Sequence, residues 1–239
     1  TVSQSRSLTG KGGGVADDKY LYLYCLEDYG DGDISGRISR VTLDDYSSQQ
    51  MGAVLEKYKV PTALTWDAST RTFYGCFYNN DGDGYDFGTV DLDNGRGSRI
   101  KINKIKERVI ALADNDNGTL YAIGKSGKLY TVDPSTGNFS EVGTTGVTPS
   151  EKIQSACYDD GMLYWAAQTA DGKSSLYKVD PATATATIVG SFPKNEQFTC
   201  LYKFKAAAED GAPAAITELT PKFEGPSLTG TLSFTMPTK

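Results

Sequence analysis

The sequence predicts an all-β protein, and three observations support this fold class. Short segments that alternate apolar and polar residues recur along the 239 residues. Asp-Gly, Asn-Gly and Ser-Thr-Gly turns separate them, and these residues adopt the backbone angles that tight hairpins need. No stretch combines apolar residues at the i, i+3, i+4 and i+7 spacing of an amphipathic helix with caps at both ends.

A tandem repeat organises most of the chain. Each unit contains three clear strands and a weaker fourth, and four antiparallel strands at a period of about 40–50 residues are typical of a propeller blade. Equivalent tyrosines of the four units, Tyr22, Tyr74, Tyr121 and Tyr164, are 52, 47 and 43 residues apart. The four segments read VADDKYLYLY…GRISRVTLDD, TWDASTRTFYGCFY…DFGTVDLDNG, ADNDNGTLYAIG…GKLYTVDPSTG and YDDGMLYWAA…SLYKVDPATA.

The first strand of each unit is expected to line the propeller axis, because its small residues suit a crowded centre. Larger Tyr, Leu and Val side chains of the second and third strands would then fill the space between blades. The weaker fourth strands are QQMGAVL, GSRIKIN, NFSEVGT and TATIVGS. The expected inner strands are GGGVA, Ala63–Trp66, Ile110–Ala113, Gln154–Tyr158 and Phe198–Phe204.

The closure of the ring is open to two interpretations, because Phe198–Phe204 has no further strands of its own unit after it. An open propeller would expose a sheet edge, so this segment has to complete a sheet. It either completes the first sheet, which gives four blades, or begins a fifth that Thr1–Leu8 finishes. The propeller is therefore predicted to have four or five four-stranded blades.

The composition changes after the propeller, which we assign to residues 1–205. A linker of small residues with a proline, AAAEDGAPAA, is predicted over 206–215. Two alternating strands then follow within residues 216–239, ITELTPKF and LTGTLSFTMP, around a Pro-Ser-Leu turn.

Two parts of the sequence resemble known families. The segment APAAITELTPKFEGPSLTGTLSFTMPTK looks like the first two strands of a fibronectin type III domain, a fold that needs about 100 residues in full. The element at Leu129–Gly137, repeated in Leu176–Ala182, is similar to YncE-like and quinoprotein-type propellers. As a whole, the chain resembles the propeller-like N-terminal region of secreted gut-bacterial surface proteins with fibronectin type III modules. The resemblance implies a secreted, cell-surface or periplasmic location.

Composition and charge exclude several classes of function. The chain contains no histidine, which removes Ser-His-Asp and Cys-His nucleophiles and His-ligated metals. The formal net charge is −6, so we expect neither nucleic acid nor an anionic membrane as a partner. Apolar runs are too short for membrane insertion.

The four cysteines, Cys25, Cys76, Cys157 and Cys200, form no Cys-x-x-Cys motif, which argues against structural zinc. Each lies in an apolar, strand-like stretch, where buried free thiols are expected. A disulfide between neighbouring units is the alternative.

An acidic loop in the second unit is a candidate calcium site. It places Asn79, Asp81 and Asp83 at alternate positions before Gly84, and Asp86 is a further oxygen ligand. The match to a calcium loop fails at its twelfth position, which is Val90 instead of Glu. A solvated hairpin loop is the alternative, so the expected cofactor is calcium or none. A second acidic loop, Glu27–Gly36, has only Asp31 and Asp33 at ligand spacing.

Charged or amide pairs precede the inner strands and are expected at one mouth of the propeller, together with the loops between second and third strands. Tyr85, in the second acidic loop, belongs to the same mouth. Polar loop residues with local ion pairs are the alternative. The candidate ligand-binding residues are Tyr85, Glu107, Arg108, Glu151, Lys152, Glu196 and Gln197.

Aspartates recur at the opposite ends of the first strands, where we expect them to cap turns. Lys203 takes the equivalent place in the fifth segment. The set comprises Asp17, Asp67, Asp114 and Asp159.

The sequence favours a non-catalytic binding or adhesion module with a glycan or protein ligand at one mouth, because it lacks a catalytic motif and is rich in tyrosine. A carboxylate-dependent glycoside hydrolase or lyase is one alternative, with Glu107 and Glu151 among the available acids. A purely structural spacer is the other.

Overall fold

The computed structural model describes residues 13–28, 34–45, 47–51, 61–78, 85–91, 96–103, 107–203, 219–223 and 230–234. These residues contain four antiparallel sheets of four strands, each with its strands in sequential order. The first blade comprises β1 (Gly14–Ala16), β2 (Tyr20–Asp28), β3 (Ile34–Thr42) and β4 (Ser48–Met51). The second comprises β5 (Pro61–Asp67), β6 (Thr72–Tyr78), β7 (Tyr85–Asp91) and β8 (Arg96–Asn103).

The third and fourth blades repeat this order. The third comprises β9 (Val109–Asp114), β10 (Leu120–Gly124), β11 (Lys128–Val132) and β12 (Phe139–Thr144). The fourth comprises β13 (Ser155–Asp159), β14 (Met162–Gln168), β15 (Ser174–Val179) and β16 (Ala186–Ser191). The all-β prediction is confirmed, and so are the four repeat units.

The repeat extends to backbone detail. In the second, third and fourth blades, the pairing between the third and fourth strands shifts register at one place. The shifts lie at Phe87/Gly88, Leu129/Tyr130 and Leu176/Tyr177. Such bulges bend a strand and increase its twist, so equivalent sequence positions shape equivalent blades.

The first strands of the blades pack against one another. β5 contacts β1 and β9, and β9 contacts β13, which is the arrangement expected around a propeller axis. All six residues of β9 are buried. The predicted role of the small-residue first strands is confirmed, and the fold of Gly10–Lys203 is a β-propeller.

The hydrophobic core lies between blades. One cluster joins the third and fourth blades around Leu129, Leu163 and the fully buried Trp165. Two further clusters join the second blade to the third and the first to the second. Large side chains of the second and third strands therefore fill the gaps between blades, as the sequence predicts.

The segment from Gln197 to Lys203 lies between the first and fourth blades. The Gly14 N–H donates to the Thr199 carbonyl at 3.0 Å, and the Leu201 N–H donates to the Ser155 hydroxyl at 2.6 Å. The described residues Phe198–Lys203 do not form a strand, so the expected inner strand is absent as far as Lys203, and Phe204 lies outside the described residues. Thr1–Leu8, on which a fifth blade depends, lie outside the described residues.

The chain divides into two units, one of Gly10–Lys203 and one of Thr1–Thr9 with Phe204–Lys239. In the second unit, β17 (Leu219–Phe223) pairs antiparallel with β18 (Gly230–Phe234). The two strands predicted after the linker are therefore present, while the linker itself, 206–215, lies outside the described residues. Across the described ranges, no helix has the length and apolar character needed to cross a membrane.

Candidate functional site

The two ends of the blades carry different polar groups. We call one end the connector end, formed by residues 107–108, 125–127, 145–154, 169–173 and 196–197. Here the connectors to each first strand meet the loops between second and third strands. We call the other the turn end, formed by the turns between first and second strands at 17–19, 68–71, 115–119 and 160–161.

Backbone hydrogen bonds fix the connector end. The Lys125 N–H donates to the Arg108 carbonyl at 2.8 Å, and the Ala170 N–H donates to the Thr148 carbonyl at 3.0 Å. Connectors and second-to-third-strand loops thus lie on one face, as the sequence argument assumed. A cavity of about 690 Å³ opens between them in the third and fourth blades. It is lined by Glu107, Lys125, Ser126, Thr148, Pro149, Ser150, Glu151 and Ala170.

Glu107 is held at the wall of this cavity. Its Oε1 accepts a hydrogen bond from the Ser126 N–H at 2.6 Å, and its Oε2 accepts one from the Tyr130 hydroxyl at 2.5 Å. Burial alone would raise the pKa of this carboxyl, but the hydrogen bonds outweigh it and the pKa is lowered. A Cβ at Gly124 would lie 2.4 Å from the Glu107 carboxyl carbon, so only glycine admits this close approach. Glu107 is a fixed, ionised acceptor.

Lys125 and Glu151 form an exposed ion pair across the cavity, with Nζ and Oε1 3.2 Å apart. Their side chains are 43% and 73% exposed, so both are free to exchange this contact for a ligand. An exposed pair of this kind stabilises a fold by about 0–1 kcal/mol.

Two tyrosines from the second blade lie next to Arg108, which precedes the third blade. The rings of Tyr78 and Tyr85 are 5.5 Å apart, and the Arg108 guanidinium lies 5.0 Å from the Tyr78 ring centre. Burial raises the pKa of Tyr78, and the charges of Arg108, Glu151 and Lys125 act on it as well. We call the cavity lining, together with Tyr130, Arg108 and the two tyrosines Tyr78 and Tyr85, the connector-end site.

The remaining predicted ligand-binding residues are of two kinds, exposed side chains and one side chain with a structural hydrogen bond. Lys152 and Glu196 are exposed at the same end but have no side-chain contact among those the structure describes. Gln197 has a structural role, because its Nε2 donates to the Ile153 carbonyl at 2.6 Å.

The candidate calcium site cannot be assembled from the described residues, since Asn79, Asp81 and Asp83 lie outside them. Asp86 is buried within β7, at 2% exposure. Within the described ranges, no group of three or more acidic, cysteine or histidine side chains is placed to hold a metal ion. Calcium binding stays a prediction.

At the turn end, the expected capping role is confirmed for Asp17, Asp67 and Asp114, each of which accepts a backbone N–H from its own turn. Asp159 instead pairs with Lys203, at 2.7 Å between Oδ1 and Nζ. All four aspartates of this set therefore contact groups of the fold itself.

Sequence reasoning missed Lys125, Ser126, Tyr130 and Tyr78 in the site. The available signal was the Lys-Ser-Gly turn between the second and third strands of the third unit. Its position at the connector end follows from the repeat, but its pairing with Glu151 depends on the packing of neighbouring blades.

Comparison with known proteins gives no match to a protein-family model and none to a curated protein. Among solved structures, a Bacteroides thetaiotaomicron protein of unknown function has a TM-score of 0.51 at 15% identity, over 77% of this chain and 44% of that one. A putative TolB from Agrobacterium tumefaciens has a TM-score of 0.48 at 11% identity, over 74% and 61%. The periplasmic gluconolactonase PpgL of Pseudomonas aeruginosa has a TM-score of 0.45 at 13% identity, over 79% and 74%. The chain thus spans less than two thirds of the first two of these structures, and likeness at such identity concerns the fold alone.

Proposed function

We propose that this chain is a non-catalytic binding module that holds a glycan at the connector-end site. The observation that carries the proposal is the cavity of about 690 Å³ between the third and fourth blades. Pockets of about 300–1,000 Å³ are typical of small-ligand sites.

The chemistry of the lining suits a sugar. Glu107 and Glu151 accept hydrogen bonds, and Lys125 and Ser126 donate them. Tyr78 and Tyr85 pack against each other next to Arg108, outside the lining of the cavity, and rings with a polar edge suit the apolar face and the hydroxyls of a saccharide that extends from it.

Binding is favoured over glycan hydrolysis at this site. A carboxylate-dependent glycosidase needs one carboxyl whose pKa is raised, so that it can act as an acid. The pKa of Glu107 is lowered, because Ser126 and Tyr130 donate hydrogen bonds to the ionised carboxylate. Glu107 is therefore suited to accept hydrogen bonds from a ligand and poorly suited to donate a proton.

The proposal includes a location outside the cytoplasm, at the cell surface or in the periplasm. The resemblance to secreted surface proteins supports it. Fractionation of the native cells with an antibody against the chain tests it, and a purely cytoplasmic signal would contradict it.

The binding test compares two exposed ion pairs, Lys125–Glu151 at the cavity and Lys128–Glu141 within the third blade. The soluble chain is screened on an array of neutral and acidic glycans, and the affinity for the best ligand is measured by calorimetry. Glu151→Ala is expected to weaken binding about tenfold, since one lost charged hydrogen bond costs about 1.5–3 kcal/mol. The control is Glu141→Ala, which removes the exposed Lys128–Glu141 pair (2.9 Å), and neither of its residues lines this cavity.

Three outcomes decide the proposal. Binding that Glu151→Ala weakens and Glu141→Ala leaves unchanged supports it. Binding that both variants weaken equally places the ligand elsewhere. A chain that binds no glycan on the array contradicts the proposal and favours a structural spacer.

A further inference from the structure

The last described segment of the propeller lies against the inner strand of the fourth blade. Gln197 bonds to Ile153, Leu201 to Ser155 and Lys203 to Asp159, so the segment follows β13 in the same direction along its length. The Thr199 carbonyl accepts a hydrogen bond from Gly14 on the first blade. This segment therefore joins the first and last blades.

The alternation of side chains along β13 places Cys157 on the face of the strand that contacts this segment. Successive side chains of a strand point to opposite faces, so residues 155, 157 and 159 share a face. The Ser155 hydroxyl accepts from the Leu201 N–H, and the Asp159 carboxylate pairs with Lys203. Cys157 lies between these two contacts on the same face.

The second cysteine lies in the segment itself. Cys200 directly precedes Leu201, and the two thiols are close enough to interact electrostatically. Position 14 on β1 is a glycine, and a Cβ there would lie 3.0 Å from the Cβ of Cys200. Cys157 and Cys200 thus lie on neighbouring segments at the junction that closes the ring.

We propose that Cys157 and Cys200 form a disulfide that locks the ring closure of the propeller when the protein meets a thiol-disulfide oxidant. Both cysteines are free thiols in the structure. The bond would tie the first and last blades through the segment that already contacts both.

The reaction needs an oxidised low-molecular-weight disulfide such as glutathione disulfide. One cysteine, as a thiolate, attacks a sulfur of the oxidant, forms a mixed disulfide and releases one thiol. The other then attacks the mixed disulfide and releases the second thiol. Two protein thiols lose two protons and two electrons, and one oxidant disulfide becomes two thiols.

The two thiols react slowly in the folded protein at neutral pH. Burial raises the pKa of Cys157 to about 11 and that of Cys200 to about 12, and thiolates are the reactive species. Oxidation is therefore expected to be fastest during folding, before the junction is packed.

The first test refolds the full chain with glutathione disulfide or with a reductant, and counts alkylated cysteines by intact mass. The oxidised chain is expected to lose two of its four thiols, and peptide mapping should link the tryptic peptides of Cys157 and Cys200. Retention of four thiols, or a link that leaves out either cysteine, overturns the proposal.

The second test measures thermal unfolding. A bond that closes a loop of about 43 residues is expected to raise Tm by about 5–10 °C, and a reductant should reverse the shift. Cys157→Ser and Cys200→Ser should each abolish it. Cys76→Ala is the matched control, because Cys76 is a buried free thiol in β6 and should leave the shift intact.

Loss of the Tm shift in Cys76→Ala, with retention in Cys157→Ser, would contradict the proposal. If a serine variant does not fold, the peptide map of the unaltered chain decides by itself.

Discussion

The two ends of the propeller use carboxylates in opposite ways. At the turn end, Asp67 is fully buried and its oxygens are occupied by Ser69 and Thr70. At the connector end, Glu151 is 73% exposed and has one exchangeable partner, Lys125. Both positions recur along the repeat, so recurrence of an acid does not distinguish a structural group from a binding group. Burial and hydrogen-bond saturation do.

The turn end also contains an exception. Asp114 occupies the same position in the third blade as Asp67 does in the second, yet its Oδ1 is buried without a hydrogen-bond partner. Burial raises its pKa to about 6, and the neighbouring charges of Asp67 and Asp116 add to the effect. Two equivalent aspartates thus have pKa values shifted in opposite directions, because only one has a turn with side-chain donors.

The largest effect is expected from Asp67→Ala. Two hydroxyls and two backbone N–H groups would lose their acceptor in a buried turn, which should cost about 2–4 kcal/mol of the free energy of unfolding. Urea denaturation measures it. Asp133→Ala removes a similar turn acceptor that is exposed to solvent, and should cost clearly less. Equal losses in the two variants would refute the role of burial.

A smaller effect of opposite sign is expected from Asp114→Asn. A carboxyl whose pKa is raised in the folded state destabilises the protein above that pKa, and the protein gains stability as pH falls from about 7 towards 4. The variant should be more stable than the parent at pH 7 by about 1 kcal/mol, after allowance for solvent screening. Urea denaturation over this pH range would show the parent approaching the variant as pH falls. Parallel pH profiles would disprove that Asp114 is an ionised carboxylate with one buried oxygen that lacks a hydrogen-bond partner.

The smallest effect on stability is expected from Glu151→Ala. Removing an exposed partner of Lys125 should change the free energy of unfolding by less than about 0.5 kcal/mol. An unchanged free energy of unfolding together with a loss of glycan affinity would show that Glu151 contributes to ligand binding and not to stability. A loss of stability comparable to that of Asp67→Ala would instead assign Glu151 to the fold.

The order of strands and turns was predictable from the sequence. Period-two alternation and Asp, Asn and Gly turns are local properties, and they located all sixteen strands of the four blades. The wrong prediction of an inner strand at Phe198–Phe204 also rested on local alternation alone. Its residues alternate like a strand, but the segment bonds to Gly14 of the first blade and to the Ser155 side chain of the fourth, and alternation does not report which neighbour a segment bonds to.

The candidate site was predictable only in part. The repeat located Glu107, Arg108 and Glu151 at one end, because equivalent connectors occupy equivalent places in each blade. It did not identify Lys125, Tyr130 or Tyr78 as their neighbours, since those contacts join residues 19 to 30 positions apart or cross between blades.

The sequence by itself determined the repeating blade, because hairpins and alternation depend on residues close together in the chain. The tertiary structure alone decided which carboxylates are saturated with hydrogen bonds and which are exposed with a single partner, and that Cys157 and Cys200 lie on neighbouring segments between the first and fourth blades. The physical reason is that solvent exposure, hydrogen-bond partners and electrostatic coupling are set by neighbouring blades, whose approach no local pattern encodes.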